Sequence, residues 1–105
     1  MIELDKENFE QEVLNADGFV FVDFYSESCE PCKALMPAVD ELCEKYADKL
    51  KFTKVNILKA RRMAIAQKVM GVPVMAVYKD GQKAAELVQA ECTKENIEKM
   101  ILDII

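Results

Sequence analysis

Two cysteines separated by two residues are the side chains in this sequence best suited to chemistry. Cys29 and Cys32 follow the apolar run Phe19–Tyr25, which reads as a buried strand, and they open a stretch with helical character. Functional crevices of open α/β sheets lie at the carboxyl ends of strands, and the partial positive charge of a helix N-terminus favours a thiolate over a thiol. The placement therefore predicts a reversible dithiol–disulfide couple and thiol–disulfide exchange.

A zinc site is the main alternative for this cysteine pair. A structural zinc site needs four ligands, and the sequence has no second Cys-x-x-Cys motif and no histidine. Cys43 would lie about 16 Å beyond Cys32 along a helix that rises ~1.5 Å per residue, which is too far for one ion. We therefore expect a redox pair, with an inert pair of thiols as the other alternative. The lack of histidine also excludes Ser–His and Cys–His catalysis.

Composition and charge narrow the classes of partner. The 105 residues fit one domain, residues 1–105, and 51% are apolar, which is enough for a core without a structural metal. A net charge of −5 argues against a nucleic-acid groove, and no apolar stretch approaches the roughly 20 residues of a membrane span. The first residues lack the pattern of a secretory signal. We expect a cytoplasmic protein, where thiols are mostly kept reduced.

The elements that position the cysteines alternate between strands and helices. We predict strands at Ile2–Leu4, Phe19–Tyr25, Lys51–Asn56, Val74–Lys79 and Lys83–Val88, and helices over about Lys6–Asn15, Cys29–Ala47, Ala60–Met70 and the residues after Thr93. This order indicates parallel pairing among the early strands. The dipeptide Asp80-Gly81 predicts a tight antiparallel hairpin near the end.

Apolar spacing assigns a buried face to each predicted helix. The residues expected to face the core are Phe9 and Val13 in the first, Leu35, Val39, Leu42 and Tyr46 in the second, Met63, Ala66 and Met70 in the third, and Ile97, Met100, Ile101 and Ile104 in the last. Asp5 is expected to cap the first helix, and Gly71 to end the third.

Asp23 is the only charged residue of the central apolar run. If it is buried behind the thiols, desolvation raises its pKa, and a carboxylate poised near neutral pH can take the proton of Cys32. The alternative is an ordinary polar residue near a strand end. Lys54 could lie near Asp23 and lower its pKa, or it could be a solvated strand lysine.

The chain resembles the thioredoxin family over most of its length, without a gap from about Phe19 to Gly81. The segments that carry the resemblance are Val22–Tyr25, Cys29–Lys33, Pro37, Lys54–Asn56 and Gly71–Pro73. The resemblance implies an α/β fold in which a mixed five-stranded sheet is flanked by four helices. It also implies that Cys29 is the exposed nucleophile, that Cys32 is the buried resolving thiol, and that the Val72-Pro73 bond is cis beside the disulfide. The Val72 backbone would then pair with an extended substrate.

The sequence departs from the family pattern around the cysteines. The family usually has Trp-Cys-Gly-Pro-Cys, whereas this chain keeps Pro31 but has Ser28 and Glu30 in place of the tryptophan and glycine. Tyr25 stands where a second tryptophan is common, and Gln89 where glycine is usual. We expect the negative charge of Glu30 to oppose the Cys29 thiolate, and Ser28 to weaken the binding of apolar substrates.

The resemblance implies a protein-disulfide reductase that is recharged by a thioredoxin reductase, needs no bound cofactor and acts as a monomer on disulfide-containing proteins. One alternative is an electron donor dedicated to a single enzyme system, such as an anaerobic amino-acid reductase. Another is a non-catalytic binding module with the same fold. Lys59, Arg61 and Arg62 read either as a solvated helix face or as a surface for an acidic partner. Cys43 reads as a packing residue, and Cys92 as one that could be exposed.

Overall fold

Five strands form one mixed sheet at the centre of the computed structural model, which describes residues 1–105. The strands are β1 (Ile2–Leu4), β2 (Phe19–Tyr25), β3 (Lys51–Asn56), β4 (Val74–Lys79) and β5 (Gln82–Val88). Their order across the sheet is β1-β3-β2-β4-β5, in which β1, β3 and β2 run parallel and β4 and β5 are antiparallel to their neighbours. The predicted strands are confirmed, except that β5 begins one residue earlier, at Gln82.

Helices cover both faces of this sheet, so the α/β fold class implied by the resemblance is confirmed. They are a π-helical segment (Glu10–Leu14), α1 (Glu30–Tyr46), α2 (Arg61–Ala66) and α3 (Lys94–Ile104). The π-helical segment and α2 pack in one apolar cluster, and α1 and α3 in another. Because β2 is central, its alternate side chains enter both clusters. Val22 faces the first cluster and Phe21 the second.

The first helix is shorter and wider than predicted. Asp5 Oδ1 accepts hydrogen bonds from the backbone N–H groups of Glu7 (2.8 Å) and Asn8 (3.0 Å), but these bonds lie in the turn before the helical segment. The N-cap of that segment is Phe9, which makes no side-chain capping bond, so the prediction that Asp5 caps the helix is wrong. The segment is π-helical rather than α-helical, since the N–H of Asn15 donates to the carbonyl of Glu10. This winding still buries the two predicted core residues, Phe9 and Val13.

The third predicted helix begins where expected, within one residue of Ala60, but its predicted end is wrong. Of its three predicted core residues, Met63 is half-buried against the core, whereas Ala66 and Met70 are not buried. A 3₁₀ turn, Ile57–Lys59, precedes α2, and α2 ends at Ala66 rather than near Gly71. The cause is a left-handed Lys68 (φ 62°), after which the N–H of Val69 donates to the carbonyl of Ala64 in a C-terminal capping motif. The core-facing residues are therefore Ala60, Ala64 and Val69, while Ala66 and Met70 are exposed.

The end of the chain follows the predicted hairpin and cap. Asp80 and Gly81 both have positive φ, which gives the two-residue turn between β4 and β5. A Cβ atom at position 81 would collide with the carbonyl of Leu14, so this turn requires glycine. Thr93 caps α3 by accepting a hydrogen bond from the N–H of Asn96 at 3.1 Å. None of the helices has the length and hydropathy that crossing a bilayer requires.

Candidate active site

A disulfide joins Cys29 and Cys32 where β2 gives way to α1. Cys29 is the N-cap of α1, and its Sγ accepts a hydrogen bond from the N–H of Cys32 at 3.2 Å. Pro31 occupies the first helical turn, where its missing N–H costs no hydrogen bond. The Cα atoms of the two cysteines are 5.3 Å apart. The sulfur of Cys29 therefore lies at the positive end of the longest helix, where a thiolate is stabilised.

The two cysteines differ in exposure, but less than the resemblance implies. Cys32 is 2% exposed, as expected for a buried thiol. Cys29 is only 9% exposed, so the nucleophile that was expected to be exposed is mostly covered. The cause is its capping position, because the backbone of the first helical turn covers the sulfur on one side.

Asp23 lies buried in the central strand, on the side of the sheet that faces α1. Its residue is 1% exposed, and neither carboxylate oxygen has a hydrogen-bond partner. Burial raises the pKa of Asp23 to about 7, against the lowering effect of the Lys54 charge and with smaller raising effects from Glu3 and Asp40. The burial and the raised pKa expected from the sequence are both present. A carboxyl group with this pKa exchanges protons readily near neutral pH.

Lys54 is the register partner of Asp23 on β3, so the two side chains leave the sheet on the same face. The Lys54 ammonium lies 3.9 Å from a carboxylate oxygen of Glu3 and 5.9 Å from the centre of the Tyr25 ring. The Tyr25 hydroxyl donates to Glu3 at 2.9 Å, and burial with this acceptor raises the tyrosine pKa. Lys54 is therefore neither solvated freely nor paired directly with Asp23.

A small cavity of about 170 Å³ opens beside Cys32. Its lining residues are Tyr25, Ser26, Glu27, Cys32, Lys33, Met36 and Lys54. The volume admits several water molecules, so water can come near the buried thiol. Sequence analysis missed Met36, although its position four residues after Cys32 places both on one face of α1.

A shallow groove of about 480 Å³ runs along the other side of the cysteine loop. Its lining residues are Pro31, Ala34, Leu35, Val72, Pro73, Gln89, Ala90 and Cys92. The Val72-Pro73 peptide bond is cis, as the resemblance implies. Leu35, expected in the buried stripe of its helix, is half-buried and lines this groove instead. The groove is mostly apolar and can receive an extended segment of a partner.

Gln89 shapes one end of this groove. It has a left-handed backbone (φ 49°), and its N–H donates to the carbonyl of Pro73 at 2.7 Å. Its side-chain amide lies over Gly71, close enough that a Cβ atom there would meet Gln89 Nε2 at 2.9 Å. Glycine at position 71 therefore makes room for the glutamine side chain.

Cys92 is buried, contrary to the expectation that it could be exposed. It is 7% exposed, and its thiol donates to the carbonyl oxygens of Leu87 (3.3 Å) and Pro73 (3.7 Å). Burial raises the pKa of Cys92 to about 11, and the charges of Asp23 and Glu91 add to this effect. Cys92 belongs to the apolar cluster that α1 and α3 form against the sheet, which the sequence does not reveal. Cys43 is half-buried against the α1–α3 core, as expected.

The remaining predicted site residues lie on the surface of the cysteine loop. Glu30 is exposed and lies 3.5 Å from the ammonium of Lys33. Ser28 is exposed, and its hydroxyl is 3.4 Å from that of Ser26. No three Cys, Asp or Glu side chains gather closely enough to hold a metal ion, so the zinc alternative has no ligand set.

Comparison with known proteins extends the similarity well beyond this loop. A family model described as Thioredoxin matches residues 1–103. The chain is 54% identical over 101 residues to a thioredoxin of Acetoanaerobium sticklandii, covering 96% of each protein. It is 50% identical over 101 residues to a thioredoxin of Peptoclostridium acidaminophilum, covering 96% of this chain and 92% of that one. "Thioredoxin C-2" of Corynebacterium nephridii is 38% identical over 84 residues, covering 80% and 78%.

Proposed function

This chain belongs to the thioredoxin family and is a thiol–disulfide oxidoreductase that reduces protein disulfides, and on that premise we propose how its residues divide the reaction. The Cys29 thiolate attacks one sulfur of a substrate disulfide, which forms a mixed disulfide and releases one substrate thiolate. Cys32 then attacks Cys29 Sγ, which restores the Cys29–Cys32 bond and releases the second substrate thiol. The observation that carries this assignment is the difference in exposure, 9% for Cys29 against 2% for Cys32.

Asp23 accepts the proton of Cys32 when that thiol attacks. Its pKa of about 7 matches the working pH, and its oxygens have no competing hydrogen bond. Water that enters the cavity beside Cys32 exchanges protons between this site and solvent. Lys54 tunes this step, because its positive charge limits how far burial raises the carboxyl pKa.

Substrates bind as extended segments along the groove beside Pro73. The Val72 backbone supplies hydrogen bonds to the segment, in the manner of an added strand. Tyr25 and Ser28 border the cysteine loop and contact the flanks of the substrate. Pro31 holds the first turn of α1 in place, and Glu30 adjusts the stability of the Cys29 thiolate.

We further propose that a thioredoxin reductase returns electrons to the Cys29–Cys32 disulfide. The thiols carry the electrons, so the exchange requires no bound cofactor. The chain acts as one domain and as a monomer in the cytoplasm, on proteins rather than on nucleic acid or membranes. Neither alternative function, the dedicated donor or the non-catalytic module, is favoured by relatives named simply thioredoxin.

The decisive experiment is trapping with Cys32→Ser. This variant should form a mixed disulfide with substrate proteins through Cys29 and fail to resolve it, so that dithiothreitol releases the partners for mass spectrometry. The matched control is Cys29→Ser, which should trap little because Cys32 is buried. Equal or greater trapping through Cys32 would contradict the assignment of the nucleophile.

A further inference from the structure

Basic and acidic residues are segregated along this chain. Residues 49–79 contain eight lysines and arginines and no aspartate or glutamate, whereas all nineteen acidic residues lie elsewhere. This segment runs from β3 through α2 to β4. An acidic protein of net charge −5 therefore has one stretch of sequence that is strongly positive. Lys51 and Lys54 of this stretch are paired with Glu12 and Glu3 in the fold.

Four of these cations gather around α2, and we call Lys59, Arg61, Arg62 and Lys68 the basic face. All four are exposed. Arg61, Arg62 and Lys68 form no ion pair, and Lys59 makes only a 4.0 Å contact with Glu27 in which both side chains are about three-quarters exposed.

The lysines of α1 and α3, on the opposite face of the sheet, are paired with acidic residues. On α1 and α3, Lys45 pairs with Glu98 at 2.6 Å, Lys94 with Glu41 at 2.8 Å and Lys99 with Asp103 at 3.4 Å. Arg61, Arg62 and Lys68 therefore take no part in the ion pairs of the fold, Lys59 makes only its long contact with Glu27, and all four remain available to external negative charge.

Apolar side chains are exposed within the same surface. Leu58 is 49% exposed, Ile65 is 64% exposed and Met70 is 84% exposed. Arginine and methionine are enriched at the centres of protein interfaces. A surface that combines unpaired arginines with exposed large apolar side chains fits a protein partner better than it fits solvent alone.

The basic face adjoins the redox site. The Lys59 ammonium reaches the carboxylate of Glu27, two residues before Cys29 in the chain. At the other end, Met70 is exposed immediately before the Gly71–Pro73 segment that borders the groove. A protein whose disulfide approaches Cys29 would therefore cover part of this surface at the same time.

We propose that the basic face is a docking surface for protein substrates that carry acidic residues beside their disulfide. This inference rests on the proposed function, since it names the substrate class of the same site. The positive charge attracts and orients such substrates during encounter, and Leu58, Ile65 and Met70 become buried once the substrate docks.

The test compares three cyclic disulfide peptides that share one core sequence and have acidic, neutral or basic flanks. The rate constant for oxidation of the reduced protein by each peptide is measured at low and high salt. We expect the wild-type protein to prefer the acidic peptide over the neutral one by about tenfold at low salt, with most of this preference lost at high salt.

The variant Arg61→Gln/Arg62→Gln should lower the acidic-to-neutral ratio at least about threefold. The matched control, Lys94→Gln/Lys99→Gln, removes the same charge from α3 and should leave the ratio unchanged. If both variants lower the ratio equally, net charge rather than the basic face sets the preference, and the proposal fails. It also fails if the wild-type protein shows no preference.

The same variants also test whether a different partner binds this surface. A dimer of the wild-type protein in sedimentation that is lost in Arg61→Gln/Arg62→Gln would assign the face to a second copy and overturn the proposal. Binding of a single-stranded or duplex oligonucleotide that the same variant abolishes would overturn it too. If the neutral peptide does not oxidise the reduced wild-type protein at all, the proposed function fails. If the neutral peptide reacts but no preference appears, only the docking surface fails.

Discussion

Cys29 and Cys92 are buried to nearly the same extent, 9% and 7% exposed, yet their sulfurs have different surroundings. Cys29 Sγ receives a hydrogen bond from the N–H of Cys32 and caps a helix of 17 residues. Cys92 Sγ donates to the carbonyl oxygens of Leu87 and Pro73 and caps no helix of comparable length, and burial raises its pKa despite the lowering effect of a backbone hydrogen bond from Met75. An N–H donor stabilises a thiolate, whereas carbonyl acceptors stabilise the protonated thiol. The comparison teaches that the groups around a sulfur, rather than its burial alone, separate a nucleophile from a packing residue.

The surroundings of Asp23, the buried carboxylic acid of β2, also determine its pKa. Burial is the largest cause that raises the pKa of Asp23 to about 7, the charge of Lys54 acts against it, and the charges of Glu3 and Asp40 add to it. Neither carboxylate oxygen of Asp23 has a hydrogen-bond partner. The charge of Asp23 also raises the pKa of Cys92, although burial is the largest cause that brings that pKa to about 11.

The largest expected effect on activity comes from replacing Cys29 rather than Cys92 by serine. Cys29→Ser should reduce dithiothreitol-driven insulin reduction to the uncatalysed rate, because no other thiol is both activated and reachable. Cys92→Ser should change the rate far less, since its hydroxyl can keep the hydrogen bonds to the two carbonyls. The measurement is the rate of insulin precipitation with each variant. A comparable loss in Cys92→Ser would mean that Cys92 takes part in the exchange.

The next effect concerns proton transfer by Asp23. Asp23→Asn should slow insulin reduction about tenfold at pH 7. This loss is smaller than the rate contribution usual for a positioned base, because cavity water can accept the Cys32 proton instead. The wild-type rate of resolution should rise with pH through about 7 as the carboxyl group ionises, and the variant should lack this rise. A variant with an unchanged pH profile would remove Asp23 from the mechanism.

Asp23 also links stability to pH. Its pKa is about 7 in the folded protein against an ordinary 3.8, so the folded state holds the proton more tightly than the unfolded state. Stability should therefore be lost as pH rises from about 4 to about 7, by an amount on the order of 4 kcal/mol. Urea denaturation of the oxidised protein at pH 4.5 and 8 measures this loss. Asp23→Asn should be less sensitive to pH, and equal slopes for the two proteins would contradict the raised pKa.

A smaller effect tests the apolar surface beside Cys29. Ser28 is exposed and its hydroxyl has only that of Ser26 as a hydrogen-bond partner, so a tryptophan at this position would add apolar area at the surface. Ser28→Trp should raise the rate of insulin reduction at least about twofold, which requires only a few tenths of a kcal/mol in binding. Ser28→Ala is the matched control and should have little effect. An increase below twofold in Ser28→Trp would show that Ser28 does not limit apolar substrates.

The sheet could be predicted from the sequence because local signals and long-range packing agree there. β2 is apolar on both faces, and the two-residue turn at Asp80-Gly81 fixes the register of the last hairpin. Cys29, Cys32 and Asp23 were identifiable because their residue types, spacing and place at the end of β2 already specify the chemistry. The agreement of pattern and fold is typical of segments buried on both sides.

The sequence failed where tertiary contacts override local pattern. The Met63–Met70 periodicity predicted one helical stripe, but Lys68 adopts a left-handed backbone that ends α2 and turns Met70 outward. The burial of Cys92 comes from its place in the α1–α3 core cluster, and the backbone N–H of Cys32 in the first turn of α1 lies against the Cys29 sulfur. No local signal in the sequence reports such covering.

The smallest expected effect comes from removing the negative charge that lies next to Cys29. Glu30 follows Cys29 directly, and its carboxylate is exposed and partly balanced by Lys33 at 3.5 Å. Its negative charge opposes the Cys29 thiolate and so disfavours the reduced form. Glu30→Gly should lower the pKa of the Cys29 thiol slightly and make the couple less reducing, and added salt should shrink both changes.

Two further variants separate charge from backbone flexibility in this last prediction. Glu30→Gln removes the charge without introducing glycine, so it should lower the Cys29 pKa in the same direction. Glu27→Gln removes a charge that lies near Lys59 instead, so its effect should be smaller. The pKa is measured from the pH dependence of thiolate absorbance, with Cys92 protonated throughout because burial raises its pKa to about 11. An unchanged or raised Cys29 pKa in Glu30→Gly would mean that the helix N-terminus and the Cys32 N–H set thiolate stability without the neighbouring charge.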